Sequence, residues 1–444
     1  MKRNSFLTCM ALLAGLMTMV PAPRAGARNA GFPDSAGQGN PGTHAPYSQV
    51  NPEVSVASAP YGQMNPEASV TNVPYSQVLR SIEQYNPSLR TAAAGLEVQK
   101  LENRSEALLE DLEVEFNYLW GQNAEVGQRH DLSITQSFDI PTLLGMKARQ
   151  AGALDSQAVL EYKAERLKVL TQAQELCIDA IYCNKLMAEY EVLLDYATRL
   201  HEAAAREVEM GESSLMELNK ARLSLTSARA QVARVQLQKD EVMASLRALN
   251  GGNDVSLDGE SYGASSLPAD FESWFSQAAE ANPVIAYVAA EIAISNNDIR
   301  IEKLSALPRL TMGYMSEIGL NDKYRGLTMG IAIPLWKSSS RIRQSQARAT
   351  LAQERRVQAE QEFYSTLRSG YDKAVSLGKL KDEYMHSLDE SDMRGTLFKA
   401  LDHGEISMAE YMTEIDILYQ ILEQFLSTER DYMQALAQLN AVFL

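Results

Sequence analysis

The sequence predicts a mostly helical protein of two duplicated α-β-β-α-α halves, with four strands per chain suited to a membrane β-barrel and long coiled-coil-like helices. Three observations carry this: motifs that recur at a fixed distance, very long proline-free segments with apolar heptads, and four short stretches of apolar–polar alternation. The recurrence comes first. Asn86-Pro87 returns as Asn282-Pro283, Ile140-Pro141 as Ile333-Pro334, Met210-Gly211-Glu212 as His403-Gly404-Glu405, and Leu249-Asn250 as Leu439-Asn440. Pro141 to Gly211 spans 70 positions, and so does Pro334 to Gly404. A period of about 193 residues is far too long for a solenoid unit, so a whole structural half is duplicated. Such a half cannot close its own sheet, which points to an oligomer.

Residues 1–27 read as a secretory signal. Lys2 and Arg3 form the charged start, Phe6 to Val20 the apolar stretch, and Ala25-Gly26-Ala27 a small-x-small cleavage site. An apolar run of 15 residues is short against the ~20 that a spanning helix needs. No later run approaches that length, so further membrane contact falls to strands. Without the signal the chain keeps 38 basic against 57 acidic side chains, a net charge of −19. That balance makes a poor nucleic-acid ligand and suits a cation-preferring surface or lumen.

Residues 28–74 are rich in Gly, Pro, Ser, Asn and Ala and hold a small tandem repeat. Ala-Pro-Tyr at 45–47 returns at 59–61, and Val-Pro-Tyr follows at 73–75. This composition buries too little apolar surface to order itself and reads as a flexible leader. The first repeat follows at 75–250, a linker at 251–269 and the second repeat at 270–444. Cys177 and Cys183 lie six positions apart on one expected helix, ~9 Å by rise. That exceeds disulfide reach, so both read as buried thiols.

The long helices are clearest after each Gly-Glu break. Leu218, Leu225, Val232 and Leu246 share one seven-residue register, with Lys239 its polar member, and Ala221, Ala228, Val235, Val242 and Leu249 fill the partner register. In the second half Tyr411, Leu418, Phe425, Tyr432 and Leu439 run beside Ile415, Leu422 and Leu436, interrupted by Glu429. Sustained spacing of this kind marks helices packed along a supercoiled seam. The segments 142–210 and 335–403 lack internal Pro, and each would reach ~100 Å as one helix.

Four stretches switch to period two. Leu112, Val114, Phe116, Tyr118 and Trp120 alternate with Glu113, Glu115 and Asn117; Leu132, Ile134, Phe138 and Ile140 follow the same rule. The second half gives Leu310, Met312, Tyr314 and Ile318, then Leu327, Met329, Ile331 and Ile333. Turn-prone segments at 121–129 and 319–325 make each pair a hairpin. Strands of ~9–11 residues match membrane-crossing barrel strands, apolar face to lipid and polar face to a lumen. A soluble half-buried sheet shows the same alternation; the secretion signal and the duplicated long helices tip the reading to the membrane. Sheet edges cannot stay open in lipid. Barrels need about eight strands or more, so several copies must share one barrel.

An enzyme finds no support. The five His are scattered at 44, 130, 201, 386 and 403, without His-Glu-x-x-His, Gly-x-Ser-x-Gly or a phosphate-cradling loop. No cofactor or metal site is expected. A periplasmic coiled-coil adaptor or scaffold is the alternative; it explains the heptads and leaves two amphipathic hairpins at matching positions without a role.

The doubled order of Asn-Pro helix, hairpin ending at Ile-Pro, long helix, x-Gly-Glu-x-Ser turn and second long helix resembles the TolC-type outer-membrane efflux proteins over residues 75–444. The resemblance implies a homotrimer with a shared 12-stranded barrel in the outer membrane of a Gram-negative bacterium and an α-helical tunnel through the periplasm. It implies an exit duct of a tripartite efflux pump, docking onto a periplasmic adaptor (membrane fusion) protein and an inner-membrane efflux transporter. The family's tip turns match Gly211-Glu212-Ser213-Ser214-Leu215-Met216-Glu217-Leu218 and Gly404-Glu405-Ile406-Ser407-Met408-Ala409-Glu410-Tyr411. The family's acidic constriction falls on Glu410, with Glu405 and Asp402 close by. A second acidic ring falls on Thr413, and an Arg of the family pattern is replaced by Ile406, so the closing network must differ. Glu410 also reads simply as a helix-start carboxylate favoured by the helix dipole. Gln136-Ser137-Phe138-Asp139-Ile140-Pro141 is similar to the heavy-metal efflux branch. The fourteen Met of the mature chain mostly fill helix cores or strand faces, so the cargo stays open between metal ions and small molecules.

Overall fold

The computed structural model describes residues 75–121, 127–139, 141–263, 266–319, 322–334, 338–389 and 393–444. The expected signal (1–27), the leader up to residue 74 and Ile140 lie outside them. The first half runs α1 (Ser76–Tyr85), α2 (Pro87–Glu106), β1 (Glu113–Trp120), β2 (Gln128–Phe138), α3 (Pro141–Met210) and α4 (Leu215–Leu249). The second repeats it as α5 (Phe271–Ala281), α6 (Pro283–Leu304), β3 (Arg309–Ile318), β4 (Lys323–Ala332), α7 (Ser338–Asp389), α8 (Met393–Asp402) and α9 (Met408–Asn440).

Two details depart from the expected layout. Each half opens with two helices where one is expected, because Asn-Pro divides them. Asn86 has an extended ψ of 125° and its side chain accepts the Leu89 amide, with Pro87 at the first position of α2. Asn282 caps α6 in the same way by accepting the Val284 and Ile285 amides. Proline fits there because that N–H has no partner within the helix. The expected helix 335–403 is described as α7 and α8, with 390–392 outside the described residues. Its first-half counterpart α3 is a single helix of 70 residues, or ~105 Å at 1.5 Å per residue.

The ends of the first half are tied together. Asn86 Nδ2 donates to the Leu249 carbonyl at 2.8 Å, and Ser81 Oγ donates to Asn250 Oδ1 at 2.8 Å. Gly251, at φ +66°, turns the chain so close that a Cβ there would sit 2.5 Å from the Tyr85 carbonyl oxygen. Two related apolar clusters flank this knot. One gathers Tyr75, Leu79, Ile82 and Leu246; the other gathers Phe271, Trp274, Ala278, Leu436 and Leu439. Tyr75 and Phe271 precede their Asn-Pro pairs by the same 11 positions, so the duplication reaches the core.

The heptad registers face inward as expected. Ala221, Leu225, Ala228, Val235 and Leu246 of α4 are buried, as are Tyr411, Ile415, Leu418, Leu436 and Leu439 of α9. Helix α3 packs along α4, α2, α6 and α9, and α7 packs along α6 and α9. Cys177 and Cys183 are free, buried thiols on α3. Glu429, the polar break in the α9 register, accepts a salt bridge from Lys185 of α3 at 2.6 Å.

The four strands form one antiparallel sheet in the order β1-β2-β3-β4. The β2–β3 ladder joins the two halves, and β1 and β4 are left as edges. Register fixes the faces: Val114, Ile134, Tyr314 and Leu327 align in one row across the sheet, and Glu113, Thr135, Gly313 and Thr328 in the next.

Candidate functional site

The alternation expected for β1 places Leu112, Val114, Phe116, Tyr118 and Trp120 on one side, and the register carries that side across the sheet through Leu132, Ile134, Met312, Leu327 and Met329. No layer of protein covers it among the described residues. Val114 is 61% exposed, Trp120 77% and Leu327 83%. The opposite face is mostly polar or small, with Glu113, Glu115, Asn117, Asp131, Ser133, Thr135, Thr311 and Gly313, and also carries Leu119, Met315 and Tyr324. On β3 the face of Leu310, Met312 and Tyr314 is exposed, while Thr311, Gly313 and Met315 of the other face are half-buried. A water-soluble sheet would be arranged the other way round. Contiguous exposed apolar surface of this kind marks a lipid or partner interface. No described helix is long and apolar enough to cross a membrane.

The two tip turns lie at the other ends of the long helices. Gly211 and Gly404 adopt φ +76° and +70°. Each ends its helix with paired backbone bonds: Glu212 N–H to Glu207 and Gly211 N–H to Val208, then Glu405 N–H to Ala400 and Gly404 N–H to Leu401. That is the left-handed glycine stop, which any residue with a Cβ strains. The next helix starts with a serine cap in each case. Ser214 accepts the Glu217 amide, and Ser213 Oγ donates to the Glu217 carboxylate. Ser407 accepts the Glu410 amide while its own N–H donates to Glu410 Oε2 at 2.8 Å, a reciprocal capping box. Both carboxyls are held below the usual carboxylate range. For Glu217 the Ser213 hydroxyl is the main cause; for Glu410 it is the Ser407 backbone N–H.

Gly211, Glu212, Glu217, Gly404, Glu405, Ser407 and Glu410 are all exposed. Asp402 closes α8, and its side chain lies outside those described. The protomer therefore gathers the expected acidic residues at two turns, with Glu410 and Glu217 fixed by their own caps rather than by partners across the tip.

Sequence periodicity missed a set of contacts that bind the halves above the tip. Arg394 of α8 pairs with Glu189 of α3, and Tyr419 of α9 donates to the Glu189 carbonyl at 3.2 Å. Tyr190 donates to Glu423 at 3.1 Å, and Gln434 Nε2 donates to Asp179 Oδ1 at 2.8 Å. The Arg430 guanidinium lies 4.8 Å over the Tyr182 ring and 3.9 Å from Asp179. Together with Lys185–Glu429 they form a polar seam between α3 and α9. The interruption of the α9 register at Glu429 was its one visible sign.

No protein-family model matches the chain, and no curated protein matches it by sequence. Solved structures do match. The outer membrane channel CmeC of Campylobacter jejuni aligns at TM-score 0.70 and 15% identity, covering 91% of this chain and 94% of that one. The MtrE outer membrane channel of Neisseria gonorrhoeae, in its open state, gives 0.68 and 15% over 83% of this chain and 88% of its own. CusC, whose transmembrane channel formation has been described structurally, gives 0.64 and 15% over 83% and 91%. The fold and its uncovered strand face thus define the class: this chain has the fold of the TolC-type outer-membrane channels. The architecture implied by the doubled motifs is met at the level of the protomer.

The seam yields a prediction for pH. Burial pushes the Asp179 carboxyl up to about 6, against the lowering pull of Arg430 and aided by Glu175 and Asp431. A raised acid pKa means that the folded state prefers the protonated carboxyl. The stability this gives is present at low pH and is lost as pH climbs from the ordinary aspartate value through about 6. Asp179→Asn keeps an acceptor for Gln434 and removes the buried charge. It should raise the melting temperature at pH 8 and leave it unchanged or lower at pH 4. A variant that is less stable at pH 8 would mean that the Arg430 attraction outweighs the burial cost.

Proposed function

We propose that this protein is one protomer of a trimeric outer-membrane exit duct. In this reading three copies contribute four strands each to a 12-stranded barrel in the outer membrane of a Gram-negative bacterium. Their long helices close side by side into a tunnel that spans the periplasm. The observation that carries the reading is the sheet: it has an uncovered apolar face, a mostly polar opposite face and two free edges, and it sits at one end of the 70-residue helix α3, which is about 105 Å long. A periplasmic coiled-coil scaffold would have no use for such a sheet.

The duct's far end is formed by the two tip turns of each copy. There it docks on a periplasmic adaptor and, through it, on an inner-membrane efflux transporter. It carries small molecules or metal ions and performs no chemistry on them. Glu410, Glu405, Asp402 and Gly404 of the second-half turn form the constriction, and Gly211, Glu212 and Glu217 of the first-half turn its outer wall. Three copies of Glu410 then present a ring of carboxylates to the axis.

Two measurements test this. Val114→Arg puts a charge into the lipid-facing row and should cost ~2–4 kcal/mol near mid-depth, cutting outer-membrane yield. Glu115→Arg points to the lumen and should be tolerated, so equal loss for both would refute the assigned faces. At the tip, Glu410→Ala should weaken cation preference and divalent block in planar-bilayer recordings. The difference should fade at high salt, since exposed charges are screened within ~8–10 Å. Unchanged selectivity in Glu410→Ala, with a change in Glu217→Ala, would move the constriction to the first-half turn.

A further inference from the structure

The strand face described above is apolar for most of its length, and its hairpin end is different. Two rows there carry cations: Phe116, Leu132, Ser316 and Arg325 align in one, and Tyr118, His130, Ile318 and Lys323 in the next. Arg325 and Lys323 are exposed, and among the described residues neither has an ion-pair partner. Every strand carboxylate lies on the other face, at Glu113, Glu115, Asp131 and Glu317. The cations of that face are neutralised in place. Arg129 bridges Asp131 at 3.0 Å and Glu317 at 2.9 Å, and Arg309 pairs with Glu110 at 2.6 Å. Charge is therefore sorted by face, leaving unpaired positive groups only on the outer one.

Aromatic rings stand at the same end of the sheet, on the opposite edge strand β1. Tyr118 packs edge-on against His130 at 4.7 Å and against Trp120 at 5.0 Å. Tyr and Trp gather at the depth where hydrocarbon meets headgroups. An Arg or Lys facing lipid is costly at mid-depth and nearly free at that boundary. Ile331 and Lys323 lie on the same face of β4, eight residues apart. That is ~27 Å along a strand, or about 20 Å of depth at a tilt of ~40°. Lys323 thus lies about 20 Å and Arg325 about 15 Å of depth from the Ile331 row, toward the far side of an apolar band about 25 Å tall.

We propose that Arg325 and Lys323, at the end of the sheet that Tyr118 and Trp120 mark across it, bind the phosphorylated headgroup of an outer-leaflet glycolipid. The inference rests on the membrane residence proposed above. All helices join the sheet at the opposite end, so with the helices in the periplasm the hairpin end meets the outer leaflet, whose lipids carry phosphate on a sugar headgroup. A guanidinium and an ammonium two residues apart on one strand face give a forked donor and a point charge for that phosphate.

The test uses full-length complexes purified from outer membranes and stripped of lipid, then offered bisphosphorylated lipid A, its dephosphorylated counterpart or inorganic phosphate, with bound lipid counted by native mass spectrometry. Wild type should retain the phosphorylated lipid. Lys323→Gln with Arg325→Gln should bind it roughly 30-fold more weakly, as expected for two cations near a charged surface, while the charge-preserving pair Lys323→Arg with Arg325→Lys should retain it. Inorganic phosphate at equal concentration should not displace it. Equal binding by the Gln pair, equal binding of the dephosphorylated lipid, or displacement by free phosphate would overturn the site. Outer-membrane fractionation of wild type separates the two ideas: absence from that fraction defeats the residence reading itself, whereas residence with unaltered lipid binding in the Gln pair defeats only the lipid site.

Discussion

The constraint on which the rest of the structure depends is that backbone N–H and C=O groups need partners wherever water is absent. The sheet meets it internally along three ladders and leaves it unmet along the outer edges of β1 and β4. In water such edges are merely exposed. Beside lipid they demand another chain, and the uncovered apolar face leaves the sheet no comfortable place in water. Edge and face together leave a single copy of the sheet with unpaired backbone and uncovered apolar surface.

The helices answer the same need for closure in a different currency of contact. A layer of helices 70 residues long at its greatest cannot bury all its apolar surface within one chain. The α3–α4 and α7–α9 seams are buried, while Met216, Leu223 and Leu237 of α4 and Val357 of α7 remain exposed. Inside the chain the polar seam of α3 and α9 gives the two halves a fixed register. Its charged groups are half-buried, so their contacts contribute specificity more than stability. Movement at the tip would have to shear Arg394–Glu189 and Tyr190–Glu423, which lie along α3 and α9 between it and the cluster around Tyr75 and Leu246.

Much of this was legible in the residues. Period-two alternation located all four strands, because a sheet with one apolar and one polar face imposes it on every strand. Heptads located the buried sides of α4 and α9. Asn86 and Asn282 marked repeated helix starts, although the chain divides there into two helices and the motif alone was read within one. The long-range pairs were not legible. Arg394 and Glu189 stand 205 positions apart, and Lys185 and Glu429 stand 244 apart; periodicity reports only on neighbours within a helix or strand. At the tip, Ser407-x-x-Glu410 spells a capping box, and the structure gives the Glu410 carboxylate that local task. Whether three such carboxylates also meet on an axis is a property of an assembly.

The central claim is that the open edges of one sheet close against other copies of the same chain. It is tested most directly by the mass of the detergent-solubilised protein under native conditions, read beside its conductance in a planar bilayer. The account predicts a particle of three chains, with all conductance in that species. A single chain that conducts on its own would contradict it.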